Sequence, residues 1–413
     1  MSVDICLSPC QQNALDKLGE LQNVFLTGGA GTGKSFVIRQ FLKTKSSKDF
    51  PVLASTGAAA VLLNGRTFHS FLGLGIMEGG VQATIDRALK NRRVVKRLKS
   101  ISGFILDEVS MISAPTFRAA ESICRLARDN SGPWGGLQVI VVGDFAQLPP
   151  VQNGFERVKQ WAFSDPAWDF SDFRSICMKT PMRCQDPDFL SILQLVREGK
   201  VDSAVTDYLN SKCVSDDDDY KGTRLFPRRD LTDTYNLKKL NEIEAPLHSF
   251  ETSFHGNKEK IEQLKKMMPI AEVIQLRMGC LVMLRQNDAK LRWVNGSLAH
   301  LREVGKDFLL LELFNGRLIE LEKAAFSMQD GEGETVAVAE NFPVSLAYAT
   351  TIHKAQGATF DRLRVDLRRL WEPGQAYVAL SRVTGGESLS LDGWSPKSIL
   401  VDPQVQNFYR GIS

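Results

Sequence analysis

The chain has 413 residues, with 51 Lys and Arg against 48 Asp and Glu and a formal charge of +3 at neutral pH. That length can bury two or three cores, and the near-balance of charge excludes a polycation, so any nucleic-acid contact must come from a local basic groove. No apolar run approaches the roughly 20 residues of a membrane span, and Met1 to Leu15 lacks the basic and apolar blocks of a signal peptide. The seven cysteines show neither C-x-x-C pairs nor zinc spacing and read as reduced thiols of a cytoplasmic protein.

In chain order, apolar Val24–Leu26 leads through a glycine turn into a helix over Phe36–Leu42, and Val52–Ala54, Phe104–Leu106 and Val139–Val142 follow as further short strands. Short apolar strands alternating with helices predict an α/β fold with a parallel sheet, whose ligands sit at the carboxyl ends of the strands. The basic cluster Arg92, Arg93, Lys96, Arg97 and Lys99 falls in an excursion from that sheet, about 75–100, as a solvated helix face or a duplex contact. The acidic run Asp216–Asp219 reads as a surface loop. A basic, helix-like stretch, Lys258–Lys266, precedes a region from about Gly279 to Phe326 in which apolar runs are broken by Asn295-Gly296 and Asn315-Gly316, both hairpin signals, so a small antiparallel barrel is expected there. Near Val344 the β/α pattern returns.

Gly28-Gly29-Ala30-Gly31-Thr32-Gly33-Lys34-Ser35 fits G-x-x-x-x-G-K-[ST] between a strand and a helix. Glycines let backbone N–H groups wrap phosphates at a helix N-terminus; Lys34 is expected on the β and γ phosphates of ATP and the Ser35 hydroxyl on Mg²⁺. The strand Phe104–Leu106 delivers Asp107, the candidate partner of Mg²⁺, and Glu108, the candidate base for the attacking water. A third strand ends in Gly143-Asp-Phe-Ala-Gln-Leu-Pro-Pro150, with Gln147 as candidate γ-phosphate sensor.

With these motifs in order, the chain resembles superfamily-one helicases, and within them the Pif-one family, with the RecD-like and Dda phage helicases as cousins. Leu7-Ser8 with Gln11 is similar to an adenine-reading Q motif. Ala54–Ala60 running on to Thr67–Phe71 resembles the DNA-contacting motif Ia region, and Asp107–Val151, with Trp134–Gln138 inside it, resembles the family signature between Walker B and motif III. Ile352–Gly357 looks like motif V and Gln375–Arg382 like motif VI. The segment Arg183-Cys184-Gln185 departs from the family, where Arg is more often followed directly by Gln.

The resemblance implies two RecA-like P-loop domains with parallel sheets, the second interrupted by an SH3-like barrel: 1–178, then 179–250 plus 336–413, with 251–335 inserted. It implies a 5′→3′ DNA helicase in which ATP hydrolysis opens and closes a cleft between the domains. Arg183 and Arg382 are then candidate arginine fingers and Gly357 a nucleotide neighbour. Thr56, Gly57, Phe68, His69, Asn236, His353 and Lys354 fall at nucleic-acid-facing positions, although for Phe68 and Phe71 core packing comes ahead of stacking on bases. Implied partners are single-stranded DNA and DNA forks, with a G-quadruplex or an RNA–DNA hybrid as further candidates, no membrane, and a monomer in solution. The family suggests genome maintenance, in repair, replication or at telomeres, and a chain this short reads as bacterial or viral.

Overall fold

A computed structural model describes residues 7–20, 23–46, 48–62, 66–75, 77, 79–150, 159–214, 220–288, 290, 292–293, 295–330 and 334–412. The run Asp216–Asp219 and Val151 lie outside the described residues. The chain divides into two compact units, one of Met1–Arg183, Gln329–Glu334 and Asp402–Ser413, the other of Cys184–Met328 and Thr335–Val401.

Unit 1 opens with α1 (Pro9–Gly19), started by a capping box in which Ser8 Oγ accepts the Gln11 N–H at 3.3 Å and Gln11 Oε1 accepts the Ser8 N–H at 3.0 Å. There follow β1 (Val24–Gly28), α2 (Lys34–Leu42), β2 (Val52–Ala54), α3 (Gly57–Leu62), β3 (Arg66–Thr67), α4 (Phe68–Leu72), α5 (Gly80–Lys90) and α6 (Arg92–Ser100). Then come β4 (Gly103–Asp107), α7 (Ala114–Arg128), β5 (Gln138–Val142), α8 (Pro166–Phe170) and β6 (Arg174–Met178). The six strands form one parallel sheet in the order β3-β2-β4-β5-β1-β6. β1 and β5 are buried on both faces, which is why they read as continuous apolar runs rather than alternating ones. Val37, Ile38 and Phe41 of α2 pack on Leu26, Ile105, Ile140 and Ile176, fixing the start of that helix against the end of β1.

The excursion is two helices, α5 and α6, both packed on α7. Its basic cluster splits. Arg92, Arg93, Lys96 and Lys99 are exposed, whereas Arg97 is buried, its Nε donating to the Phe71 carbonyl at 3.0 Å and its guanidinium 4.9 Å from the Phe71 ring centre.

Unit 2 begins with α9 (Pro187–Arg197), α10 (Ser203–Ser211), β7 (Thr223–Phe226) and α11 (Arg229–Asn241). An antiparallel region comes next: β8 (Leu247–Glu251), β9 (Ser253–Gly256), α12 (Lys258–Met267), β10 (Val273–Arg277), β11 (Leu281–Leu284), β12 (Leu298–Val304), β13 (Phe308–Leu313), β14 (Leu318–Glu322), β15 (Ala324–Gln329), β16 (Thr335–Asn341) and β17 (Val344–Leu346). It holds a five-stranded sheet, β14-β13-β12-β11-β17, beside β10-β8 and β15-β16-β9. Asn315-Gly316 makes a tight turn, with Gly316 at φ +79° and its N–H donating to the Leu313 carbonyl at 2.8 Å. Asn295-Gly296 ends a long connection between β11 and β12 instead, with the Gly296 N–H on the Leu284 carbonyl at 2.9 Å. Antiparallel strands thus reach from Leu247 to Leu346, beyond 251–335, because β8 and β17 carry no turn signal of their own.

β18 (Ala349–Thr351), β19 (Leu363–Asp366), α13 (Gln375–Leu380) and β20 (Leu389–Gly393) complete a second parallel sheet in the order β18-β7-β19-β20. The fold class is therefore α/β with two RecA-like parallel sheets. The last helix, α14 (Pro403–Ile412), corrects the assignment of 336–413 to the second domain, for it packs on unit 1. Phe408 stacks on Phe163 at 4.3 Å and meets Phe145 at 5.4 Å and Phe25 at 5.9 Å. A short amphipathic pattern says that a helix buries one face and not which core receives it.

Candidate nucleotide and nucleic-acid site

The carboxyl ends of β1, β4 and β5 bring the expected phosphate chemistry to one rim of the unit 1 sheet. Gly31 and Gly33 take positive φ, +76° and +88°, which frees their N–H groups to turn toward a ligand. A Cβ on Gly33 would stand 2.6 Å from Gln11 Nε2, so the capping box aims that amide at the loop, while Gly28 lies against the Met178 carbonyl at the end of β6. Lys34 Nζ donates to the Gly28 and Gly29 carbonyls at 2.8 and 3.1 Å, and Thr32 Oγ1 to the Gly29 carbonyl at 2.9 Å. Ala30 is half-buried in the same turn, and Ser35 is exposed on the first turn of α2.

Arg183 joins this loop: its N–H and that of Met182 donate to the Gly31 carbonyl at 3.2 and 2.8 Å, and an added Cβ on Gly31 would stand 2.8 Å from Arg183 Cβ. At the end of β4 the Asp107 carboxylate accepts the Glu108 N–H at 3.0 Å. Asp107 is half-buried as a residue but its carboxyl is desolvated; burial first, then the Glu108 charge, raises it to about 7, opposed by the Glu108 amide and by Lys34. Glu108 sits in left-handed backbone, φ +56°, a conformation that non-glycine residues hold only where surroundings enforce it. A desolvated Asp107 carboxylate beside Glu108, with Lys34 close enough to act on it, is of the hard oxygen-donor type that a divalent cation takes. Asp107, the Ser35 hydroxyl and nucleotide phosphates match the sparse protein ligation typical of Mg²⁺. Gln147 is buried in the loop after β5, its N–H on the Asp144 carbonyl at 2.9 Å.

The residues expected on nucleic acid have mixed fates. Thr56 Oγ1 accepts the Ala59 N–H at 3.2 Å, capping α3 at Gly57, and both residues are half-buried at the end of β2. His69 is half-buried on α4, and desolvation holds its imidazole below the usual value. Phe68 is a correction: it is fully buried, 6.2 Å from the Phe104 ring, and Phe71 is fully buried too, so both are core. Asn236 is a second correction. Its buried amide donates to the Ala349 carbonyl at 2.9 Å and accepts the Ala349 N–H at 2.8 Å, covering the edge of β18 as a neighbouring strand would.

Elsewhere in unit 2, His353 is exposed, 3.4 Å from Glu372. Lys354 is exposed in area, yet desolvation, then Arg229 and Arg285, pull its ammonium below the usual value. Gly357, at φ +78°, has open space where a Cβ would project. Arg382 is buried, its Nε on the Val378 carbonyl at 2.7 Å and its Nη2 on Ser381 Oγ at 2.8 Å. The sequence reading passed over Thr27, Asp144 and Tyr409, which meet beside the phosphate loop. Only the buried Asp inside the β5 exit loop signalled them.

A phosphate loop, a desolvated Asp107 followed by Glu108 and the Gln147 loop on one parallel rim, with a second parallel sheet further along the chain, define a P-loop nucleotide hydrolase with two RecA-like folds. A sequence profile of the PIF1-like helicases matches residues 6–207. Over 407 residues the chain is 50% identical to the ATP-dependent DNA helicase Pif1 of Bdellovibrio bacteriovorus, covering 98% of this chain and 92% of that protein. Its fold is similar to that of Bacteroides sp Pif1 in complex with ADP-AlF4, with a TM-score of 0.86 at 26% identity, covering 99% and 97% of the two chains. The same coverage, with a TM-score of 0.67 at 26% identity, relates it to Bacteroides Pif1 in complex with ADP-AlF3 and single-stranded DNA. The chain belongs to the PIF1-like helicase family. Among the described residues no helix is long and apolar enough to cross a membrane.

Proposed function

We propose that this chain is an ATP-dependent DNA helicase that translocates 5′→3′ on single-stranded DNA and unwinds duplex at forks. The likeness to the Bdellovibrio helicase over nearly the whole chain carries this reading, and the unit 1 rim supports it chemically. In this reading Lys34 leaves the Gly28 and Gly29 carbonyls for the β and γ phosphates, and Gln11 reads adenine. Asp107 and Ser35 hold Mg²⁺, which when bound neutralises phosphate charge. Glu108 orients the attacking water, Gln147 senses the γ-phosphate, and Arg183 and Arg382 stabilise the charge that develops on it.

Closing of a cleft between the two RecA-like domains around ATP, with an SH3-like insertion in the second, couples hydrolysis to movement along the strand. Thr56, Gly57, His69, His353 and Lys354 track the DNA backbone, in keeping with the sequence-tolerant contacts that single-strand motors use. The exposed cations of α6 suit a duplex. Strand displacement on partial duplexes with either a 5′ or a 3′ single-stranded tail, with ATP and Mg²⁺, tests the proposal. Unwinding of the 5′-tailed substrate alone is expected. Preference for the 3′ tail would overturn the polarity, and ATP-driven translocation without unwinding would leave a translocase.

A further inference from the structure

Three backbone segments of unit 1 meet at a single phenol. The Tyr409 hydroxyl on α14 lies 2.9 Å from Asp144 Oδ1, 2.9 Å from the Phe145 backbone nitrogen and 3.0 Å from Thr27 Oγ1. The Asp144 carboxylate can only accept and the Phe145 N–H can only donate. The phenol therefore gives its one proton to Asp144, and the Thr27 hydroxyl must donate to it. Its donor and both acceptor positions are thus used, in a place where Asp144 and Thr27 are fully buried.

Each anchor point leads directly into the nucleotide site. Thr27 precedes Gly28, the first residue of the phosphate loop. Asp144 opens the sensor loop: its Oδ1 also accepts the Ala146 N–H at 3.1 Å, and its carbonyl holds the Gln147 N–H at 2.9 Å. A direct bond from the Gly143 N–H to the Leu26 carbonyl, 3.2 Å, ties the same two segments one residue back. The apolar work of α14 is done by its neighbour Phe408, stacked on Phe163 and beside Phe25 and Phe145. Packing alone would be served as well by phenylalanine at 409, so the hydroxyl calls for another reason.

We propose that Tyr409 is a positioning residue for ATP hydrolysis. Its hydroxyl fixes the separation between the phosphate loop at Thr27 and the sensor loop at Asp144. Gln147 then meets the γ-phosphate as part of a rigid loop, preorganised before the reaction rather than ordered during it. The inference rests on the assignment of Lys34 and Gln147 to the nucleotide site made above.

The test is Tyr409→Phe, which keeps the ring and removes the bonds. Steady-state hydrolysis with and without single-stranded DNA should show kcat lowered about tenfold, the scale of a lost hydrogen bond to a buried charge. KM for ATP and DNA affinity should stay at their wild-type values; because buried Asp144 and Thr27 lose a partner, the melting temperature should drop by a few degrees, and hydrolysis is compared far below it, where both proteins are fully folded. In an Asp144→Ala background the same change should have no further effect on kcat, because the two residues act as one unit; if Asp144→Ala melts too low to assay, Thr27→Val takes its place. Wild-type kcat in Tyr409→Phe, an additive loss in the second background, or a fall in melting temperature that accounts for the lost rate would each overturn the proposal. A wild-type protein whose hydrolysis ignores DNA would instead overturn the helicase reading, and the Tyr409→Phe comparison on DNA-free hydrolysis would still decide the role of the hydroxyl.

Discussion

In unit 1, β1 and β5 fill the centre of the sheet with Val24, Phe25, Leu26 and Val139–Val142, and the charged groups of the rim stand at the carboxyl ends. In unit 2, β7 and β19 each carry an arginine inside: Arg224 is 8% exposed and Arg364 1%. Both share Asp392, with Arg364 Nε at 2.6 Å and Arg224 Nη1 at 3.9 Å, and the rings of Tyr235 and Tyr220 lie 5.2 and 5.8 Å from the two guanidiniums. One sheet is held by non-directional burial, which separates stability from chemistry. The other depends at its centre on a charged contact whose loss strands a cation in low dielectric.

The largest effect should come from breaking that contact. Asp392→Ala is expected to destabilise the protein by about 3–5 kcal/mol, the cost of leaving a buried partner uncompensated, measured as a lower denaturant midpoint. Lys34→Ala does the reverse at the other sheet: hydrolysis should fall about 10²–10³-fold with the unfolding midpoint unchanged. Retained turnover would move the nucleotide site elsewhere.

Between these extremes lies Asp107, where rim chemistry does touch stability. Folding raises its carboxyl from 3.8 to about 7, so between those values the metal-free fold binds a proton that the unfolded chain has released. Stability contributed by this group therefore falls as pH climbs from 3.8 to about 7 and stays low above that. Asp107→Asn should melt above wild type at about pH 8 without Mg²⁺, with the advantage shrinking toward about pH 4; a variant that melts lower at the alkaline end would refute it. The smallest effect is set for Phe68→Leu, about 1 kcal/mol of stability with unchanged affinity for single-stranded DNA, since its ring is core. His69→Ala beside it should weaken DNA binding by titration without moving the melting temperature.

The phosphate loop, the Asp107-Glu108 strand end and the Gln147 loop were all legible because each is a local pattern: a short apolar strand followed by a fixed set of residue types. Their meeting on one rim follows from the parallel sheet. Phe68 was ambiguous because an aromatic side chain after a turn can pack or stack, and only the Phe104 ring across the sheet decides. Asn236 was misassigned because a buried amide looks like any polar helix residue until the strand edge it covers is known. The ends of the antiparallel region and the destination of α14 depend on partners far away in the chain, and no window of neighbouring residues contains them.

The knot at Tyr409 joins residues 382 positions apart. Closing so long a loop costs entropy before any contact forms, which places this union late on the folding route. During synthesis from the N-terminus, the sheet of unit 1 can assemble early, with Gly143 bonded to Leu26, but the bond from Tyr409 to Asp144 forms only after residues beyond Val401 have left the ribosome. All of unit 2 is made in that interval, so, on the role proposed for Tyr409, an emerging chain would hold a nucleotide fold that lacks its last fixing bond until α14 arrives.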